Sequence, residues 1–254
     1  MKIFPLYEGS YSVDISKKFI PFDPAIHQAK DRPASLFVHV RPFLIQTSTD
    51  LILIDTGLGY HDASGELFLH QHIRKAGFQP EEVSLVLMSH LHFDHSGGMV
   101  NCRDTKTDLS FPYAEYIIQR GEWESAYSKP SKSYRTDIFD ILQRSGCIRF
   151  VEGSGQLNPQ IRFELCGGHT EFHQVFLIQE DGETYFFGGD VLPEPEQLIR
   201  KFMAKYDFDP RQTMQLREDY GKRAASESWT CLYYHAKTKA MSKVLYDEQG
   251  FHLK

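Results

Sequence analysis

The run Val83-Ser84-Leu85-Val86-Leu87-Met88 passes without a spacer into Ser89-His90-Leu91-His92-Phe93-Asp94-His95, and this junction constrains the chain more than any other stretch. Short, near-continuous apolar runs suit a strand covered on both faces. Three imidazoles and a carboxylate then follow within six residues. Buried polar groups without partners cost free energy, so ordinary packing does not explain such a cluster. A layered fold with a polar site just beyond a buried strand is what the junction predicts.

The rest of the chain fits that layering. Leu36 to Ile45 and Leu51 to Ile54 read as two paired strands, followed by a tight turn at Asp55-Thr56-Gly57-Leu58-Gly59. Residues 64–76 carry apolar positions at Leu69, Ile73 and Ala76, with Gly77 placed to end a helix. Strand signals return at 172–179 and 184–188, joined by Asp181-Gly182, which favours a hairpin turn. Asp209-Pro210-Arg211-Gln212 reads as N-cap, Pro at the first helical position and capping-box Gln, opening a helix to about Ser226. Thr230 to Tyr234 is a last strand, ending at His235. Residues 102–150 show helical patches such as 135–145 but no dominant period, and read as an insertion beside the site. Alternating strands and helices predict a mixed, layered α/β fold. No repeat, low-complexity tract or long linker interrupts the chain, so residues 1–254 read as a single domain.

Composition removes several classes of function. With 254 residues, 41% hydrophobic and 24% charged, the chain can bury a substantial core. Lys and Arg number 28 against 34 Asp and Glu, a net charge of -6, so the footprint of a dedicated nucleic-acid binder is missing. No apolar run is long enough to span a bilayer, and the N-terminus meets Pro5 and Glu8 before any apolar region forms. Cys102, Cys147, Cys166 and Cys231 form no C-x-x-C pair, which fits a reducing cytoplasm and neither a zinc ribbon nor a disulfide framework. A soluble, unexported protein with a small-molecule substrate is expected, without nucleic-acid or membrane partners.

In an extended segment side chains alternate, so His90 and His92 can point to one side and share an ion. Asp94 and His95 follow as the chain turns at Ser96-Gly97-Gly98, and can face a second ion. Further donors stand where other apolar runs break off: His169 in Cys166-Gly167-Gly168-His169, Asp190 after Phe186-Phe187-Gly188-Gly189, and His235 after Tyr234. Loops at one edge of a rigid sheet are where sites are commonly built.

This ordered set resembles the metallo-β-lactamase superfamily in its binuclear hydrolase branch. The motif His-x-His-x-Asp-His is matched by His90, His92, Asp94 and His95, the later single His by His169, the bridging Asp by Asp190 and the last His by His235. Leu53-Ile54-Asp55-Thr56-Gly57 also resembles an upstream element, so the likeness covers roughly residues 36–240. The resemblance implies an αβ/βα four-layer sandwich with two divalent metal ions at one edge. His90, His92 and His169 would hold one ion, Asp94, His95 and His235 the other, with Asp190 bridging. Imidazole and carboxylate donors suit zinc first, and also iron, manganese or cobalt. A water shared between two cations loses a proton near neutral pH, while an open metal position polarises the oxygen under attack. Asp94 is then the catalytic residue that takes or returns a proton, and Asp55 orders its loop by bonding nearby N–H groups.

Branches of the superfamily can be separated. β-Lactamases of this type are exported and commonly carry Cys where this chain has Asp190; glyoxalase-II-like thioesterases have an additional C-terminal helical region, whereas residues 236–254 alone follow His235. The tRNA-processing nucleases have a basic arm, and segment 102–150 holds eight Lys and Arg against seven Asp and Glu. The sequence is most similar to N-acyl-homoserine lactonases, in its His-Leu-His-Phe-Asp-His wording and in Leu6-Tyr7-Glu8-Gly9-Ser10-Tyr11. It departs from them after the bridging Asp, where they commonly carry a Tyr and this chain has Val191-Leu192-Pro193. A lactone or carboxylic ester hydrolase is expected. The alternatives are a phosphoester, organophosphate or thioester hydrolase, a dinuclear iron oxygenase, or a metal-binding protein without turnover.

Other residues are assigned to packing. His173 reads as a hydrogen-bonded core residue, His70 and His72 as solvated surface, and Cys166 and Cys231 as small core hydrophobes. Phe93, inside the motif, is the best candidate for a pocket wall; for Phe19, Phe22, Tyr233 and Tyr234 core packing is the default.

Overall fold

The computed structural model describes residues 1–103, 106–129 and 131–254. Alternation along the strands decides its layering. A six-stranded sheet runs in the order Lys2–Pro5, Phe43–Gln46, Leu51–Ile54, Leu85–Leu87, Glu115–Gln119, Ile148–Val151. A seven-stranded sheet runs Gly155–Asn158, Ile161–Leu165, Gln174–Glu180, Glu183–Phe187, Thr230–Leu232, Met241–Asp247, Gly250–Leu253. Phe43, Ile45, Ile52, Ile54, Leu87 and Ile117 of the first sheet meet Ile161, Phe163, Phe176, Ile178, Phe187 and Leu232 of the second in one buried cluster. Their in-between neighbours Leu44, Leu53, Val86, Tyr116 and Ile118 point outward, under the helices Phe68–Lys75, Arg120–Ser128 and Thr136–Ser145. On the far side Val175, Leu177, Phe186 and Cys231 pack beneath Pro210–Ser226 through Tyr220 and Ala224. The result is a four-layer αβ/βα sandwich, in which each fully buried branched or aromatic side chain contributes about 1.5–3 kcal/mol.

The central strand Leu85–Leu87 lies parallel between Leu51–Ile54 and Glu115–Gln119, buried on both faces as expected. Thr230–Leu232 is likewise parallel to Glu183–Phe187. The chain therefore leaves both sheets repeatedly at one edge, at Asp55, Ser89, Gly188 and Tyr233.

Several elements differ from the sequence reading. The run Leu36 to Ile45 is two strands in different sheets, Leu36–Val40 pairing with Gly9–Val13 and Phe43–Gln46 with Leu51–Ile54. Between them Pro42 offers no ladder N–H, and buried Arg41 donates to the Ala236 carbonyl at 2.6 Å. The helix expected over 64–76 begins only at Phe68, because Asp62 Oδ1 accepts the N–H groups of Ser64 and Glu66 in a local turn. Segment 102–150 includes the sheet strands Glu115–Gln119 and Ile148–Val151, while its residues 104, 105 and 130 lie outside the described residues.

Other elements stand as read. Helix Pro210–Ser226 is capped by Asp209, whose Oδ1 accepts from Arg211 and Gln212 at 3.0 Å each. Gln212, however, turns away from the cap and donates to the Cys166 carbonyl. Asp181 and Gly182 both have positive φ, 53° and 79°, as a type I′ hairpin turn requires. Among the described residues no helix is long and apolar enough to cross a membrane.

Candidate metal centre

The chain bends at Ser89 beyond the central strand and is extended at His92, with φ -61° and ψ 150°, and a one-turn helix Phe93–Ser96 follows at once. Asp94 and His95 therefore project from a helical turn that starts three residues before the expected glycine turn. Thr56 clamps that turn: its N–H and its Oγ1 both donate to the His95 carbonyl, at 2.6 and 2.9 Å. Gly97 and Gly98 let it approach, since a Cβ on either would collide with the carbonyl oxygen of Leu58 or Thr56.

The edge brings together three sets of donor atoms. His90, His92 and His169 converge, as do Asp94, His95 and His235, and as do His90, His95 and Asp190; within each set the ligand atoms lie within 4.8 Å of one another. Asp190 stands between, one oxygen 3.2 Å from both His95 Nε2 and His235 Nε2 and the other 3.2 Å from His169 Nε2. Asp94 Oδ2 lies 3.6 Å from His235 Nε2 and 3.8 Å from His95 Nε2. All seven sequence-predicted residues thus meet at one place.

Charge and burial suit cations here. Burial, aided by the neighbouring imidazoles, holds His90 and His92 well below the usual histidine range, in the neutral form that offers a lone pair. Burial opposes ionisation of Asp190, yet His235, His95 and His169 hold it well below the usual carboxylate range. His90 Nε2, His95 Nε2 and Asp190 Oδ1 are buried without a hydrogen-bond partner. Orphaned donors of this kind are costly in a folded chain, and a metal ion supplies what they lack. The residues present therefore fit a metal centre.

The far side of three of the imidazoles is held. Asp55, fully buried, lies 2.7 Å from His95 Nδ1 and accepts from the Ser89 N–H and hydroxyl, which is the loop-ordering part read for it. His169 Nδ1 lies 2.8 Å from Asp207, and His235 Nδ1 donates to the His39 carbonyl at 2.6 Å. Tyr234 stacks on His95 at 4.0 Å between ring centroids and donates to the Asp94 carbonyl. His173 is in none of the donor sets; its Nε2 accepts the Asp190 N–H at 3.2 Å, as a hydrogen-bonded core residue. Cys166 and Cys231 also stand outside the donor sets. His70 and His72 are half-buried rather than solvated, and His70 donates to the Ser110 carbonyl at 2.9 Å.

Sequence reasoning missed Asp207, Glu122 and Tyr134. Buried Glu122 accepts from Thr170 Oγ1 at 2.8 Å, Tyr134 Oη at 3.1 Å and the Leu91 N–H at 3.2 Å, tying three segments of the site together. Each is a single residue in a segment without a motif; only the Asp207-Phe208-Asp209 run before the helix cap offered a local signal.

A cavity of about 350 Å³ opens over the donors, lined by His92, Asp94, His169, Asp190 and His235 at its base. Its walls include Phe19, Phe93, Leu36, Val38, Tyr134 and Phe208. Phe93 and Phe19 thus do face the pocket, whereas Phe22 packs against Phe37 with the rings tilted by 55° and Tyr233 is core.

Fold and site together define a class. Residues 37–235 match the Metallo-beta-lactamase superfamily, and the chain belongs to it. An N-acyl homoserine lactonase of Bacillus cereus is 26% identical over 159 residues, 55% of this chain and 58% of that protein. N-acyl homoserine lactonase AttM of Rhizobium johnstonii is 39% identical over 148 residues, 54% of this chain and 47% of that one. The matches thus span about half the length of these relatives. AidC, a dizinc quorum-quenching lactonase solved with the product N-hexanoyl-L-homoserine, shares the fold at a TM-score of 0.76 and 22% identity, covering 99% of this chain and 93% of that one.

Proposed function

We propose that residues 1–254 form one domain that is a metal-dependent hydrolase of lactones or carboxylic esters, holding two divalent ions, zinc first. His90, His92 and His169 would hold one ion and Asp94, His95 and His235 the other, with Asp190 shared between the two sites. The observation that carries this reading is the convergence of three buried, unpartnered donor atoms, on His90, His95 and Asp190, the last of which also lines the cavity. The dizinc lactonase of the same fold and the lactonase relatives support the choice of reaction and metal.

When bound, the ion pair supplies Lewis acidity and an activated water. The chain's own residues do the rest. Asp55, Asp207 and the His39 carbonyl fix the orientation of His95, His169 and His235. Asp94, at the cavity base with its main chain pinned by Tyr234, takes the proton and returns it to the leaving oxygen. Phe19, Phe93, Leu36 and Val38 take up an apolar acyl arm and exclude water from the carbonyl.

Asp190→Asn tests the bridge. The variant is expected to bind less metal per chain and to lose hydrolysis. Unchanged activity in a metal-replete preparation would overturn the bridging assignment.

A further inference from the structure

The cavity carries more positive charge than the metal chemistry uses. Three lysines line it, Lys17, Lys129 and Lys132. Lys129 is neutralised by an ion pair with Glu171. Lys17 and Lys132 are exposed, and among the described residues neither has a carboxylate within ion-pair distance. They come from two separate segments: Lys17 from the turn between Gly9–Val13 and Phe19–Pro21, Lys132 from the link between Arg120–Ser128 and Thr136–Ser145. Lys17 has φ 58°, a left-handed conformation that glycine would adopt without the cost a lysine carries. Its charge is close enough to act on His92.

The chain as a whole carries a net charge of -6 and repels anions. Two exposed cations without an ion-pair partner, lining one cavity, run against that field. The lining therefore brings together three zones of chemistry: metal donors, an apolar wall of Phe19, Phe93, Leu36 and Val38, and the ammonium groups of Lys17 and Lys132. A neutral acyl chain would satisfy the first two zones and leave the third unused. We propose that the substrate is a lactone or ester whose acyl arm ends in a carboxylate, with Lys17 and Lys132 receiving that group. The proposal rests on the hydrolase reading above and names its substrate class.

The test uses zinc-loaded protein and a matched pair of lactones, N-hexanoyl-homoserine lactone and the same molecule with the terminal methyl replaced by carboxylate. Exposed ion pairs are each weak, so two together should favour the carboxylate substrate by about 3- to 10-fold in kcat/KM at low salt. The preference should shrink at high salt, where the screening length falls to about 3 Å at 1 M. In the double variant Lys17→Met, Lys132→Met the ratio of the two kcat/KM values should fall to or below parity, chiefly through KM. Equal or better turnover of the neutral lactone by unaltered protein at low salt, or a ratio the double variant does not move, would overturn the proposal.

Calorimetric titration with adipate and with hexanoate separates this outcome from failure of the hydrolase reading. Lysine-dependent preference for adipate without turnover of either lactone would remove lactone hydrolysis and keep the anion site. Equal affinity for the two acids would remove the anion site.

Discussion

Asp207 and Glu8 act on the site without being part of its donor set. Asp207 fixes His169 through Nδ1, and the next N–H, of Phe208, donates to the His169 carbonyl at 3.0 Å. Asp207→Asn should weaken metal affinity about 10- to 100-fold, as loss of a carboxylate behind a metal-binding imidazole commonly does. Competition with a chelator measures it, and an unchanged affinity would remove Asp207 from the site. Glu8 is buried and accepts the Leu58 N–H at 2.8 Å, ordering the turn after Asp55. Burial pushes its carboxyl up from 4.5 to about 7. Between those values the native chain holds a proton that the unfolded chain has released, so this contribution to stability falls as pH rises from about 4.5 to about 7 and is lost above. Relative to Glu8→Gln, wild-type protein should lose about 3 kcal/mol of stability between pH 4.5 and 8, measured by urea unfolding. A difference that stays flat with pH would show that burial does not raise the Glu8 carboxyl. That these seven residues cluster could be read from the sequence because they stand where apolar runs break off at turns and together match an ordered family motif. Asp207, Glu122 and Glu8 could not, since their partners lie 38, 12 to 48 and 50 to 52 residues away and only tertiary packing pairs them.

Among the elements, the helix Pro210–Ser226 shows local chemistry prevailing. Asp209 and Pro210 set its start in the sequence and in the structure alike. The same Asp209 N–H donates to the Gly168 carbonyl at 2.8 Å, so the helix cap also anchors the His169 loop. Asp209→Ala keeps that N–H and loses the two cap bonds. It should cost about 1 kcal/mol, a fall in Tm of roughly 2–4 °C for a chain of this size. No fall would mean that the His169 loop alone holds the helix start. Where tertiary demands compete with local pattern, the pattern misleads. Leu36 to Ile45 alternates well enough to look like one strand, but Arg41-Pro42 is where the chain passes from the small sheet to the large one, with Arg41 bound to a carbonyl at residue 236. Segment 102–150 looked irregular because its strand Glu115–Gln119 is only five residues long and lies among turns and short helices.

At the scale of the molecule, two sheets packed face to face deliver donors from both halves of the chain to one edge, His90 to His95 from the first and His169, Asp190 and His235 from the second. The layered class followed from alternation of strands and helices, while the pairing of the two sheets depended on which face each strand turns inward. Because the centre straddles both sheets, metal binding is coupled to stability. Removing metal should lower Tm, and zinc at about 100 times its Kd should restore about 2.7 kcal/mol. A Tm indifferent to chelator would place any bound metal outside this cluster. The most direct measurement combines zinc stoichiometry with proton release during ring opening of N-acyl-homoserine lactones, comparing metal-free and reconstituted protein. Two zinc ions per chain are expected, with acidification only in the reconstituted protein. Two zinc ions bound with no acidification from any lactone or carboxylic ester would contradict the hydrolase reading.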